Sequence, residues 1–157
     1  MRYVDSWATS NRKVLVYFTP EVVQTFAKHR QRYPRQPESG GVLLGRRRGR
    51  HFEVVHATSP FPSDKQWWTG FARERGGHQA AATDLWAASG GEVDYIGEWH
   101  THPEAEPSPS GIDRREWRLL ASRRVRGAAL VTAIVGIASL CVALLMRGQI
   151  DRLVEAA

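Results

Sequence analysis

At 157 residues the chain has room for one domain and little more. Its 42% hydrophobic and 24% charged residues are enough for a real core. The single cysteine, Cys141, excludes a disulfide framework and any cysteine-based zinc ribbon, and it suits a reducing compartment. The net charge of +6 raises a nucleic-acid-binding class. The basic residues are scattered, however. Their densest run, Arg46 to Arg50, falls where a hairpin turn is expected, and no recognition helix or RNA-binding signature accompanies it. No specific nucleic-acid partner is expected.

Residues 1–12 read as a polar, irregular N-terminal segment, leaving 13–157 as the domain. The absence of an apolar leader there argues against a signal peptide and for a cytoplasmic protein. "KVLVYF" (13–18) is a strand. A helix follows, with Thr19 at the N-cap, Pro20 at the first helical position, and Val22, Val23, Phe26 and Ala27 on one face; Pro34 and Pro37 are expected to end it. "GGVLLG" and "HFEVVHAT" are two strands joined by the arginine turn. Residues 60–77 read as a loop holding Trp67, Trp68 and Phe71, and "HQAAATDLWAAS" as a helix closed by Gly90-Gly91. "VDYIGEWHTH" is a strand; from Ser110 a helix begins, with Ile112, Trp117, Leu119 and Leu120 as its apolar points.

From Gly127 to Met146 the chain carries no charge, a length that could span a bilayer. Gly136-Ile137-Ala138 interrupts it, so the run is read as two buried strands rather than a membrane helix. Strands and helices mix throughout, which predicts a single α/β or α+β domain.

The candidate site lies in "GEWHTHPEAEPSPSGID" (97–113). On a strand, side chains two apart share a face, so Glu98, His100 and His102 project together. Pro103 stops the strand just after them, and Asp113 falls in the first turn of the next helix. Two imidazoles and a carboxylate leave a fourth position open, the arrangement of catalytic zinc, where a bound water reaches a pKa of about 7. A further carboxylate must then move the proton. A lone H-x-H is common and usually carries no function; His29, His51, His56 and His78 are assigned to ordinary packing or surface roles. The full string of spacings is what sets His100 and His102 apart. By geometry alone Glu98 could be the base.

The string H-T-H-P, six residues, Ser110, two residues, Asp113, resembles the signature of the JAMM (MPN-plus) zinc metallopeptidases, relatives of deubiquitinating subunits. "ESGGVLLG" resembles the family's upstream E-x-G-G context and selects Glu38 over Glu98. The resemblance covers about residues 13–155. It implies an MPN/JAB-like domain with a curved mixed sheet flanked by helices. It also implies one Zn2+ per chain on His100, His102 and Asp113, Glu38 as base and then acid, and Ser110 as donor to the oxyanion. Glu104 and Glu106 are read as solvated loop charges.

The chain's size, its "GEWHTHPE" and "PSPS" segments and Trp117 resemble a prokaryotic JAB subgroup that accompanies ubiquitin-activating and ubiquitin-conjugating homologues in bacterial antiphage (CBASS-type) operons. The resemblance implies an isopeptidase acting after the tail of a ubiquitin-like protein or of a cGAS-like nucleotidyltransferase conjugated to targets. Processing of a bacterial ubiquitin-like protein and a non-catalytic MPN-type scaffold stand as alternatives. A tail added as a strand at a sheet edge would be the cheapest way to present it, with Trp67, Trp68 and Phe71 as candidate contacts.

Overall fold

The computed structural model describes residues 3–33, 35–60, 65–67, 70–72 and 75–156, with only the backbone described for 65–67, 70–72, 75 and 76. Among these residues, eleven strands and three α-helices occur in the order β1 (Ser6–Ala8), β2 (Leu15–Phe18), α1 (Pro20–His29), β3 (Gly40–Arg48), β4 (His51–Ala57), β5 (Lys65–Trp67), β6 (Gly70–Ala72), α2 (Arg75–Ala88), β7 (Asp94–Thr101), α3 (Gly111–Ser122), β8 (Leu130–Val135), β9 (Leu140–Met146), β10 (Gln149–Arg152) and β11 (Val154–Glu155). Nine strands form one mixed sheet in the order β10-β9-β8-β7-β3-β4-β2-β1-β11, while β5 and β6 pair as a separate hairpin.

The sheet's two outermost strands are consecutive in the chain. Only Leu153 separates β10 from β11, and its N–H donates to the Val142 carbonyl. The sheet must therefore curl until its ends approach each other, which is the curved mixed sheet expected of this α+β domain. Such curling also leaves little open edge. The helices cover it from outside and within: α1 packs on β2 and β4, α2 on β3 and β7, and α3 on β8 and β9.

Residues 127–146 resolve into β8 and β9, antiparallel and almost wholly buried. Val131, Ala133 and Val135 face the main core with Phe18, Phe26 and Trp99; Leu130 and Ile134 face Trp117 of α3. Burial on both faces explains a charge-free run without any membrane. Among the described residues no helix is long and apolar enough to cross a bilayer.

Four expectations need correction. The N-terminal segment is not irregular: β1 joins β2 to β11, Tyr3 and Trp7 are buried, and the Tyr3 hydroxyl donates to the Gly136 carbonyl at 2.6 Å. Helix α1 ends at His29, before Pro37, and Pro34 lies outside the described residues. Just past its end Gln36 ties the chain down, its amide donating to the Arg30 carbonyl and its oxygen accepting from the Arg32 N–H. Thr19 does occupy the N-cap, but its hydroxyl donates to the Val55 carbonyl rather than capping. The 60–77 loop contains the β5–β6 hairpin. Trp68 lies outside the described residues, and of Trp67 and Phe71 only the backbone is placed, in β5 and β6.

Candidate metal centre

Strand β7, flanked by β3 antiparallel and β8 parallel, carries His100 near its C-terminal end and places His102 just beyond it. The approach is close: a Cβ on Gly97 would sit 1.7 Å from the Val131 carbonyl oxygen, so only glycine lets β7 lie this near β8. Past Thr101 the chain leaves the sheet, and loop 103–109 folds onto the β8–β9 turn. The Ile137 N–H donates to the Glu104 carbonyl at 2.7 Å, and the Ala138 N–H to Ala105 at 3.0 Å. Gly136 permits that packing, because a side chain there would strike Pro107 and two loop carbonyls. The interruption that splits the apolar run is thus the seat of the loop leading to Ser110.

Ser110 and Asp113 form a reciprocal capping box. The Ser110 hydroxyl accepts from the Asp113 N–H at 3.1 Å, and the Asp113 carboxylate accepts from the Ser110 N–H at 2.8 Å. The same box turns the carboxylate toward the strand end. Trp117, buried one turn further on, anchors α3 against β8 and β9 and stands 6.5 Å from the His100 ring. Ile112 and Leu119, expected on the packed face, are instead exposed at 69% and 49%; Trp117, Leu120 and Ala121 supply that face.

His100, His102 and Asp113 come together. Their facing atoms lie at 3.1 Å (Nε2 to Nε2), 3.2 Å (His100 Nε2 to Asp113 Oδ1) and 3.3 Å (His102 Nε2 to Asp113 Oδ2). A tetrahedral cation with bonds of about 2.0 Å has donor–donor edges of about 3.3 Å. The donor set and its spacing therefore fit one small cation, and these three are the residues that could hold it. The other nitrogen of His102, Nδ1, meets Glu104 Oε1 at 3.1 Å. A proton on Nδ1 leaves Nε2 free to ligate, which is the usual carboxylate support for a metal-bound histidine. Glu104 is therefore no idle loop charge. Its position two residues past His102 was the available signal, masked by the intervening Pro103.

Glu38 precedes β3. Gly40 pairs with His100, and extending that register by two brings Glu38 level with His102. Glu38 is buried, 9% exposed. Burial pushes its pKa up to about 7; the nearby His102 opposes this and the Asp113 charge adds to it. Burial also works against charge on Asp113, but hydrogen bonds from His100 and His102 overcome it and hold the carboxyl well below the usual range. For His102 burial opposes protonation, while the hydrogen bond and charge of Asp113, with Glu38 and Glu104, carry the pKa upward.

Thr101, between the two histidines, points to the opposite face, as expected, and is fully buried. Its hydroxyl accepts from the Ser39 N–H at 2.9 Å and donates to Gln31 Oε1 at 3.0 Å, while the Thr101 N–H donates to the Ser39 carbonyl. This buried relay fixes the backbone beside Glu38 to the histidine strand. Sequence reasoning gave Gln31 and Thr101 no such part, since their contact spans seventy positions. Trp99 also packs inward, its indole donating to the Thr58 carbonyl at 3.0 Å. Glu98, the rival base, is equally buried but accepts from the Tyr95 hydroxyl at 2.8 Å and is not part of the three-residue cluster. The remaining histidines have ordinary partners: His29 with Ser59, His51 with the Leu15 N–H, His56 with Glu21 and His78 with Thr58.

The chain is 40% identical over 136 residues to a CD-NTase/cGAS isopeptidase of Pseudomonas aeruginosa, an alignment covering 87% of this chain and 86% of that one. It is 42% identical over 102 residues to a protein of the same name from Escherichia coli (65% of each chain). Against the Vibrio cholerae protein of that name it is 39% identical over 104 residues (66% of this chain, 67% of the other). The fold is similar to the solution structure of a protein from Desulfitobacterium hafniense, with a TM-score of 0.59 at 21% identity over 87% of this chain and 88% of that one. Residues 19–147 match the model described as "Prokaryotic homologs of the JAB domain", and the chain belongs to that family.

Proposed function

We propose that the protein is a zinc-dependent isopeptidase. In this reading it hydrolyses the bond that joins the C-terminal tail of a cGAS-like nucleotidyltransferase to a target protein, in the cytoplasm and in the setting of a bacterial antiphage operon with ubiquitin-activating and ubiquitin-conjugating partners. The observation that carries the chemistry is the convergence of His100, His102 and Asp113 beside a buried Glu38 whose pKa lies near 7. The names of the three relatives support the substrate class.

His100, His102 and Asp113 would hold the zinc, which when bound supplies Lewis acidity toward the scissile carbonyl and acidifies its water. Glu38 takes the proton from the attacking water and returns it to the departing lysine amine. A carboxyl poised near neutrality suits both halves of that transfer. Ser110 serves the developing oxyanion. Its hydroxyl oxygen already accepts from Asp113, so its own hydrogen remains to be given. Glu104 orients His102, and the Ser110–Asp113 box orients the carboxylate. The complete donor set disfavours a non-catalytic scaffold.

The test is a purified lysine-linked conjugate of a cGAS-like nucleotidyltransferase, incubated with protein of measured zinc content. Release of both components with a free nucleotidyltransferase C-terminus by mass spectrometry is expected, and a zinc chelator should abolish it. If zinc-loaded protein leaves that conjugate intact and instead trims a bacterial ubiquitin-like precursor, the substrate assignment is wrong.

A further inference from the structure

A groove runs along α3 on the side away from the sheet's main core. Its first part is a cavity of about 370 Å³ lined by Pro109, Arg114, Arg118, Cys141, Ile150 and Arg152. A second cavity of about 340 Å³ shares Arg118 and Gly148 with the first and continues past Arg147. The groove thus opens next to Ser110 and extends along the helix toward Ser122.

Its charge serves no visible structural purpose. Arg114 and Arg118 sit one turn apart on the same face of α3, and Arg152 faces them from β10 beside Ile150, while Glu116 and Asp151 lie on the opposite faces of their elements. Among the described residues, Arg114, Arg118, Arg147 and Arg152 form no ion pair, whereas Arg46 and Arg48 in the β3–β4 hairpin both reach Glu53. Arg114 lies one residue past Asp113 in the first turn of α3, where the helix dipole disfavours a cation. Arg114, Arg118 and Arg152 line the first cavity together with the buried Cys141, so the cations converge on one floor.

We propose that this groove binds an extended acidic peptide segment of the conjugated substrate, next to the scissile bond. Arginine forks pair with carboxylates in bidentate fashion, and the apolar floor of Cys141, Ala143 and Ile150 accepts the segment's backbone and methylenes. From Arg114 to Ser122 the helix rises about 12 Å, the length of about four extended residues. Neither cavity is lined by an aromatic side chain, the stacking platform that a nucleic acid strand uses. The inference rests on the isopeptidase reading for its identification of the segment with substrate.

The test titrates a fluorescein-labelled Asp/Glu octapeptide, and its Asn/Gln counterpart, into zinc-loaded protein. The wild type should bind the acidic peptide in a salt-sensitive way and not the neutral one. Arg118→Glu with Arg152→Glu should weaken binding by about tenfold or more, whereas Lys13→Glu with Arg50→Glu, an equal change of net charge elsewhere, should not. On a conjugate with an acidic segment beside the bond, the groove pair should raise KM by a similar factor and leave kcat unchanged. The proposal is overturned if the groove pair binds the acidic peptide as the wild type does. It is also overturned if an oligonucleotide of equal charge occupies the groove more tightly than the peptide. A wild type that cleaves no conjugate yet binds the acidic peptide through these arginines retains the groove and removes the isopeptidase reading alone. A wild type that cleaves, with kinetics the groove pair leaves unchanged, removes the groove alone.

Discussion

Glu38 and Glu98 are both 9% exposed and lie near the same β3–β7 seam, yet their surroundings set them apart. Glu98 sits mid-strand and accepts from the Tyr95 hydroxyl. Glu38 stands at the mouth of β3, where burial and the Asp113 charge raise its pKa and His102 only partly opposes them. Equal burial does not make equal chemistry. What separates a structural carboxylate from one ready to move protons is which charges and donors the fold places beside it.

The largest expected effect follows from that contrast. Glu38→Gln should lower kcat by about 10²–10⁴-fold, the usual worth of a positioned general base, while zinc content stays at the wild-type level. Glu98→Gln should change turnover by no more than about threefold. Steady-state cleavage assays with metal analysis on both variants decide it. The reverse ranking would move the base to Glu98.

How much of this was legible beforehand differs residue by residue. His100, His102, Ser110 and Asp113 lie within fourteen positions, and strand alternation plus a capping box fixes their relation from spacing alone. Glu38 is joined to them only through the β3–β7 register, which sequence does not reveal; local context, not geometry, pointed to it. The strand β1 was missed because three residues give too short a pattern, and its burial depends on the distant β11. The groove along α3 was invisible for the same reason, since Arg152 and Arg118 meet only when β10 folds against the helix.

A second way to sharpen the contrast is to loosen Glu38 without touching it. Thr101→Val leaves the Ser39 N–H and Gln31 Oε1 without their shared hydroxyl. A loss of about 1–3 kcal/mol in stability is expected. The backbone beside Glu38, the proposed base, also shifts, so kcat should fall by about tenfold with KM and zinc content unchanged. Thr101→Ser, which keeps the hydroxyl, should restore the rate. A rate loss that Ser does not rescue would mean the valine acts through packing and not through Glu38.

A third prediction uses the metal-free protein, where no cation pulls the carboxyl down. Folding raises the Glu38 pKa from its ordinary 4.5 to about 7. The protonated form is the one the fold prefers, so the stability it contributes is complete below about pH 4.5 and is lost as pH rises through about 7. Glu38→Gln cannot ionise and keeps that stability. Urea unfolding should find metal-free variant and parent alike near pH 4, with the variant ahead at pH 8 by up to about 3 kcal/mol. No gain at pH 8 would mean that Glu38 is solvated in solution, and the basis of its contrast with Glu98 would be lost.

The smallest effect tests the other side of the comparison. Tyr95→Phe removes the hydroxyl that donates to Glu98 but keeps the ring over which the Arg124 guanidinium lies, 5.2 Å from its centroid. One hydrogen bond to a carboxylate is lost from a part-buried site, so a cost of about 1 kcal/mol is expected. Turnover should be unchanged, because a carboxylate that only braces β7 can lose a donor without disturbing the atoms at the strand's end. Thermal unfolding and initial rates on the same preparation separate the two readings. A Tyr95→Phe protein that unfolds like the wild type but turns over tenfold more slowly would show that the Tyr95–Glu98 pair tunes the reaction. In that case both acids at this seam, and not Glu38 alone, would belong to the proton path.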